Sequence, residues 1–180
     1  MMRDDLDRIL VTKEQIAERV TEIAKEIKRD FGDEDLTMIC ILRGSCYFFA
    51  DLTKALDNMI TLEFMAVSSY GSGTTSSGEV RISKDVSTPI EGKNVIVVED
   101  IIDTGYTLSY LKRILLERRP KVLKICTLLD KPSRREAEIE GDYVGFTIPN
   151  EFVVGYGLDY AQKYRNLPEV GVLKAEIYQK

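Results

Sequence analysis

The sequence contains no histidine among its 180 residues. Histidine is the usual base of a nucleophilic triad and the commonest protein ligand of transition metals. Its absence therefore excludes histidine-based triads, imidazole metal sites and histidine proton relays. Any acid–base chemistry must use aspartate, glutamate, lysine, tyrosine or cysteine.

Cysteine is scarce, and no two cysteines are spaced as Cys-x-x-Cys. Cys40, Cys46 and Cys126 are odd in number, which favours reduced thiols in a cytosolic protein. The residues after Met1 lead into no apolar signal core, and no apolar run approaches the roughly 20 residues that cross a bilayer. We therefore expect a cytoplasmic protein with no membrane partner.

Positive charge is neither abundant nor clustered. The chain has 25 Lys and Arg against 30 Asp and Glu, for a formal net charge of −5. This balance argues against nucleic acid or an anionic membrane as the main partner. An apolar fraction of 44% and a charged fraction of 31% are typical of a globular protein, and we expect one domain over residues 1–180.

Apolar runs of strand length alternate with helical patterns along the chain. A capping box at Thr12 opens the first helix, and Gly32 ends it. The pattern predicts helices at about 12–30, 46–56 and from 108, and strands at 36–42, 60–68, 80–84, 95–98, 122–129, 143–148 and 170–177. This alternation predicts an α/β fold with a doubly wound, mostly parallel sheet flanked by helices. We expect the two chain ends to form a small hood.

The stretch VIVVEDIIDTGYTL, residues 95–108, carries the most chemistry. Its four apolar residues predict a buried strand, and Glu99 and Asp100 stand where that strand is expected to end. Asp103 and a Thr-Gly turn follow, and then a helix begins. A helix start offers free backbone N–H groups and a positive dipole end, so this bend is suited to binding a phosphate.

This stretch resembles the phosphoribosyl-diphosphate-binding motif of the type I phosphoribosyltransferases. Four further segments resemble the hypoxanthine(-guanine) phosphoribosyltransferases: LRGS (42–45), SSYGSGT (68–74), LLDKPSRR (128–135) and FVVGYGLDYAQKYRNLP (152–168). The similar region covers about residues 38–168, and the motifs stand in the expected order. The resemblance implies a type I phosphoribosyltransferase fold.

The same resemblance implies a reaction and its cofactor. Such enzymes replace pyrophosphate at C1′ of phosphoribosyl diphosphate by a purine nitrogen, through a transition state that resembles an oxocarbenium ion, with Mg²⁺. The resemblance implies hypoxanthine, and guanine with it, as the 6-oxopurine substrate. It also implies a homodimer or homotetramer.

The resemblance assigns a role to each candidate residue. Asp103 matches the general acid/base at the purine N7. The ribose and 5′-phosphate residues are Glu99, Asp100, Asp103, Thr104, Gly105, Tyr106 and Thr107. The pyrophosphate residues are Arg43, Gly44 and Arg165, and the purine residues are Lys131, Phe152, Val153 and Asp159. Asp159, with Glu99 and Asp100, is the expected metal set, and Ser69 and Tyr70 match a lid over the reacting centre.

Two other functions are consistent with part of the pattern. A regulator that keeps the same fold but binds RNA would explain the central motif, although it would not explain Lys131 and Phe152 together. A transferase for xanthine or another base differs only in contacts near Val153 and Asp159, which the sequence does not resolve. Without the resemblance, Lys131 is an exposed loop charge, Phe152 is core, and Asp159 with Arg165 is a surface ion pair.

Overall fold

The computed structural model describes residues 1–69 and 80–179. The strands are β1 (Leu6–Val11), β2 (Leu36–Leu42), β3 (Ile60–Ser69), β4 (Val80–Lys84), β5 (Asn94–Ile102), β6 (Val122–Asp130), β7 (Tyr143–Thr147), β8 (Val153–Val154) and β9 (Val170–Leu173). The α-helices are α1 (Lys13–Phe31), α2 (Cys46–Ala55), α3 (Tyr106–Glu117) and α4 (Ala175–Tyr178), with short 3-10 turns at Met2–Asp5 and Pro132–Arg134.

Six strands form the central sheet in the order β4-β3-β2-β5-β6-β7. Every neighbouring pair is parallel except β3 with β4, which is antiparallel. Apolar side chains of β5 alternate between the two faces, as a strand covered on both sides requires. Ile96 and Val98 pack in the core that contains α1 and α2, and Val95 and Val97 pack in the core that contains α3. The predicted doubly wound sheet is confirmed.

The first helix shows why its boundaries are readable from sequence. Thr12 accepts a hydrogen bond from the Gln15 backbone N–H at 3.2 Å, and the Gln15 side chain accepts one from Thr12 N–H at 2.8 Å. Gly32 ends the helix at φ 59°, a conformation that disfavours other residues. The predicted capping box and terminal glycine are confirmed.

The two chain ends meet in a second, three-stranded antiparallel sheet with the order β1-β9-β8, which we call the hood. Leu6 pairs with Leu173 and Val11 with Val170. The expected hood is therefore present, although the sequence analysis did not identify β1 as a strand.

Two predicted strand ends are wrong. β5 continues to Ile102 instead of ending at Val98, because its parallel pairing with β6 persists to that residue. Glu99 and Asp100 therefore belong to the strand. The predicted strand at 170–177 ends at Leu173, its last residue paired with β1, and the chain then turns into α4. Within the described ranges, no helix is long and apolar enough to cross a membrane.

Candidate active site

The candidate residues gather at the carboxyl ends of β2, β5 and β6, three neighbouring parallel strands of the central sheet. Open α/β sheets bind ligands at this edge, because the loops that leave adjacent strands converge there. The loop after β2 begins with a cis peptide between Leu42 and Arg43. The loop after β5 contains Asp103, and the loop after β6 contains Lys131.

The bend between β5 and α3 depends on glycine. Gly105 has φ 86°, and a Cβ built on it would collide with Ile139 and lie 3.0 Å from Arg135 Cδ. The first N–H groups of α3 follow directly and have no partner inside the helix. Thr107, in this first turn, lines a cavity. Tyr106 is exposed and donates its hydroxyl to Glu136 at 2.9 Å.

Glu99 and Asp100 form an acidic pair at the end of β5. Burial raises the pKa of Glu99 well above its ordinary value, and the neighbouring Asp100 raises it further. Burial also raises the pKa of Asp100, while Arg165 acts in the opposite direction. A Cβ on Gly44 would collide with the Asp100 carboxylate, so glycine lets the β2 loop approach this pair.

A cavity of about 340 Å³ opens over this acidic pair, and we call it the second cavity. Its polar lining consists of Arg43, Gly44, Glu99, Asp100, Thr107, Asp159 and Arg165. Asp159 and Arg165 form an ion pair with 2.7 Å between Oδ1 and an Nη atom. Arg165 also donates to the Gly157 carbonyl at 2.6 Å, which fixes the guanidinium at the cavity wall.

A larger cavity of about 1280 Å³ adjoins it, and we call it the first cavity. Five of the predicted residues line it, namely Asp103, Lys131, Phe152, Val153 and Asp159. Ile101 and Asp159 line both cavities, so the two spaces meet at these residues. The structure thus brings residues of the central sheet and of the hood to one place.

Lys131 is 7% exposed, which differs from an ordinary loop lysine. Burial lowers the pKa of its ammonium group, and the nearby Asp103 carboxylate partly offsets that effect. The Lys131 backbone N–H donates to the Ile102 carbonyl at 2.9 Å. This bond joins the β6 loop to the end of β5, beside Asp103.

Asp103 lies close to a cation that the sequence analysis did not identify. Arg134 Nε is 2.8 Å from Asp103 Oδ1. The N–H bond is not aligned with that oxygen, and Oδ1 is buried without a hydrogen-bond partner in the described part of the chain. Buried oxygens normally have a partner, so this atom has an unused acceptor position.

Arg135 is a second residue that the sequence analysis missed. Its guanidinium donates to the carbonyls of Asp103, at 3.1 Å, and of Ile102, at 3.4 Å, and it pairs with Asp130. The Thr104 carbonyl also accepts from the backbone N–H groups that follow Arg135. Arg135 therefore clamps the β5 and β6 loops together. The clamp joins segments about 30 residues apart in sequence, so no local pattern indicated it.

Phe152 lines the first cavity and is 37% exposed, so it is not plain core. Its ring stacks on Tyr178 of α4, with 4.6 Å between centroids and 21° between planes. Tyr178 lies just beyond the strand predicted at 170–177, and the sequence analysis gave it no role. Of the predicted lid, Ser69 ends β3, and Tyr70 lies outside the described residues.

Comparison with known proteins places this geometry in a family. A model of the phosphoribosyl transferase domain matches residues 9–161. The chain is 51% identical over 180 residues to a hypoxanthine-guanine phosphoribosyltransferase of Streptococcus thermophilus, with 100% of both chains covered. It is 49% identical to the bifunctional protein TilS/HprT of Listeria monocytogenes over 98% of this chain, and spans 27% of that relative's length.

A solved structure agrees in shape as well as in sequence. The crystal structure of a hypoxanthine phosphoribosyltransferase from Staphylococcus aureus superposes with a TM-score of 0.96 at 47% identity, covering 99% of this chain and 97% of the other. Sequence identity near one half over almost the whole chain shows a close relationship, and not only a shared fold. The chain belongs to the phosphoribosyltransferase domain family and, within it, to the hypoxanthine-guanine phosphoribosyltransferases.

Proposed function

We propose that the protein transfers the 5-phosphoribosyl group of phosphoribosyl diphosphate to N9 of hypoxanthine or guanine, forming IMP or GMP and pyrophosphate. The strongest support is that Asp103, Lys131 and Phe152 line one cavity that adjoins a second, acidic cavity. A base in the first and a sugar diphosphate in the second would face each other across Ile101. Holding two reactants in this way removes much of the entropy barrier of a bimolecular step.

The bend between β5 and α3 would hold the 5′-phosphate. Backbone N–H groups at the start of α3 would bind the phosphate dianion together with the hydroxyls of Thr104 and Thr107. Gly105 and Tyr106 would contribute through their backbone. The positive end of the α3 dipole favours an anion at this position.

Glu99 and Asp100 would bind the ribose hydroxyls and help to hold Mg²⁺. Their donor set fits such an ion, because two adjacent carboxylates of raised pKa, one buried and one half-buried, gain from a divalent cation nearby. In the described part of the chain no three acidic or cysteine side chains are arranged so that they could together hold a metal ion. Mg²⁺ commonly uses one or two carboxylates plus substrate phosphates, so this number suffices. When bound, Mg²⁺ would neutralise charge that develops on the leaving pyrophosphate.

Arg43, Gly44 and Arg165 would bind the pyrophosphate. The Arg43 side chain is exposed, and within the described residues its guanidinium donates to Gln162 alone, at 2.9 Å, so it can turn toward an anion. Arg165 presents a planar fork suited to two phosphate oxygens. Asp159 is the ion-pair partner of Arg165. If Arg165 binds the pyrophosphate, Asp159 would be free to act as a Mg²⁺ ligand through water.

The purine would be selected in the first cavity. An ammonium group can donate to an exocyclic oxygen but cannot accept from an amine, so Lys131 favours 6-oxopurines over adenine. Phe152 would stack on the base, and the Val153 backbone would meet its edge near Asp159. Asp103 would exchange a proton at N7 while the bond from N9 to C1′ forms and the bond from C1′ to pyrophosphate breaks.

Closing the site over the cation-like transition state would exclude water. By the resemblance, Ser69 and Tyr70 are the proposed lid residues, and Tyr70 lies outside the described residues. A homodimer or homotetramer remains the expected assembly, and light scattering of the purified protein measures it.

A purine panel tests the proposed function. The protein is incubated with phosphoribosyl diphosphate, Mg²⁺ and either hypoxanthine, guanine, xanthine or adenine, and nucleotides are separated by chromatography. We expect IMP and GMP, little AMP, and loss of product when EDTA is added. Formation of no nucleotide from any of the four bases would refute the proposal, and XMP alone would identify the xanthine alternative.

A further inference from the structure

The short terminal helix α4 carries an aromatic ring into the wall of the first cavity. Tyr178 stacks on Phe152, and Tyr160 meets both rings at their edges, at 5.7 Å from Phe152 and 6.5 Å from Tyr178. Tyr178 and Gln179 line the cavity that also contains Asp103 and Lys131. The three rings form one cluster beside the candidate base site.

Tyr178 leaves part of the Phe152 ring open. A parallel stack covers one face of a ring, yet Phe152 remains 37% exposed in its presence. Phe152 and Ile101 of β5 both line the first cavity. A planar base that enters the first cavity can stack on the part of the Phe152 ring that Tyr178 leaves open.

α4 has little to hold it in place apart from this cluster. It has four residues, none of them buried, and a helix so short has no stability of its own. Lys174 ties its start to the 3-10 turn, through its N–H to the Asp5 carbonyl at 3.0 Å and its Nζ to the Asp4 carbonyl at 2.7 Å. Ile177 packs partly against the hood core.

We propose that Tyr178 is a positioning residue for the purine. By stacking on one face of Phe152, it fixes the ring in the orientation in which the other face receives the base. The role depends on the function proposed above and extends it, because it makes the terminal helix a determinant of base affinity. Tyr178 acts through Phe152 and contacts neither C1′ nor the pyrophosphate.

This role predicts a selective effect on one substrate. An aromatic pair is worth about 0.5–1.5 kcal/mol beyond its buried area, which corresponds to about a 2- to 12-fold change in affinity. Tyr178→Ala should therefore raise KM for hypoxanthine by about 3- to 10-fold. KM for phosphoribosyl diphosphate should stay within about twofold, since its cavity shares no ring of this cluster. Tyr178→Phe keeps the stack and should restore the wild-type KM.

The experiment compares the wild type, Tyr178→Ala, Tyr178→Phe and Tyr110→Ala in steady-state kinetics with each substrate varied. Tyr110 lies on α3 beside Arg113, outside both cavities, and controls for loss of a tyrosine ring. Thermal unfolding checks that each variant is folded. Titration calorimetry with IMP measures the same contact without turnover.

Several results would overturn the inference. An unchanged KM for hypoxanthine in Tyr178→Ala would show that Phe152 needs no support. A lower KM would show that Tyr178 occupies the base position. Equal increases for both substrates, or failure of Tyr178→Phe to restore the KM, would indicate a general structural effect. A wild type that forms no nucleotide refutes the proposed function separately; equal IMP binding by wild type and Tyr178→Ala refutes the role of Tyr178.

Discussion

Replacing Lys131 by methionine gives a direct test of how the base would be recognised. Methionine keeps the apolar stem and removes the ammonium group, which is buried at 7% exposure. Because burial already lowers the pKa of that ammonium, the fold holds it at an electrostatic disadvantage. We therefore expect Lys131→Met to fold at least as well as the wild type.

The expected loss in base recognition follows from the charge of the donor. A hydrogen bond from a charged group contributes about 1.5–3 kcal/mol, so Lys131→Met should reduce kcat/KM for hypoxanthine by about 10- to 150-fold. Adenine carries an amino group at the same position, and two hydrogen-bond donors cannot pair with each other. Its kcat/KM should be unchanged or higher, which would narrow the discrimination between the two bases.

The pH dependence gives a second readout with a defined sign. Since burial lowers the pKa of Lys131 below the ordinary 10.5, its proton is lost at a lower pH than that of an exposed lysine. KM for hypoxanthine should rise as the pH increases through this lowered pKa. Lys131→Met should lack that rise. Ionisation of free hypoxanthine affects both enzymes equally, so it does not alter the comparison.

Initial rates with hypoxanthine and adenine, between pH 6 and about 10.5, provide the assay. Lys124→Met is the matched control, since Lys124 lies on β6, the strand that leads to Lys131, but pairs with Asp142 at 2.8 Å, outside both cavities. Unaltered selectivity in Lys131→Met, or an alkaline rise in KM that persists in it, would refute the assignment.

Three further changes test the rest of the site. Asp103→Asn should lower kcat by about 10²- to 10⁴-fold with little change in KM for phosphoribosyl diphosphate; an unchanged kcat would remove Asp103 from proton transfer. Gly44→Ala should place a methyl group against the Asp100 carboxylate, and calorimetry should show weaker binding of phosphoribosyl diphosphate, whereas full affinity would mean that the loop yields. Arg135→Leu should destabilise the fold by about 3 kcal/mol, because Asp130 loses its partner; denaturant unfolding with no loss would contradict the clamp.

The parts of the fold that the sequence predicted correctly depend on local interactions. The first helix was bounded correctly because Thr12, Gln15 and Gly32 form its caps within a few residues of its ends. β2 was predicted residue for residue, since an unbroken apolar run between polar neighbours has one interpretation in a buried sheet.

The errors occur where distant partners decide the conformation. Polar Glu99 and Asp100 looked like the end of a strand, yet pairing with β6 keeps them extended. β1 was not identified because its partner in the hood is about 160 residues away. The strand predicted at 170–177 stops at Leu173, because after that residue the chain has no further strand partner in the described part of the hood.

The motifs named residues that the structure brings together, but they did not indicate the contacts between them. The motifs named Asp103, Lys131 and Phe152, and all three line the same cavity. Arg134 and Arg135 lie in the segment LLDKPSRR, but the sequence analysis gave them no role, because their acceptors come from the β5 loop. Here the motifs indicated side chains that line the cavity and not those that hold the loops together.

The hood joins opposite ends of the chain, and this has a consequence for how the site loses structure. Among the strand pairings of the described residues, that of β1 with β9 joins the segments farthest apart in sequence, whereas the strands around Glu99 and Asp100 lie between residues 36 and 130. Amide protons of Leu6–Val11 should therefore exchange with solvent sooner than those of Asn94–Ile102. During such partial openings the proposed purine site, which includes hood residues, would lose its structure first. The proposed sugar-phosphate site on the central sheet would stay folded and could keep its ligand bound.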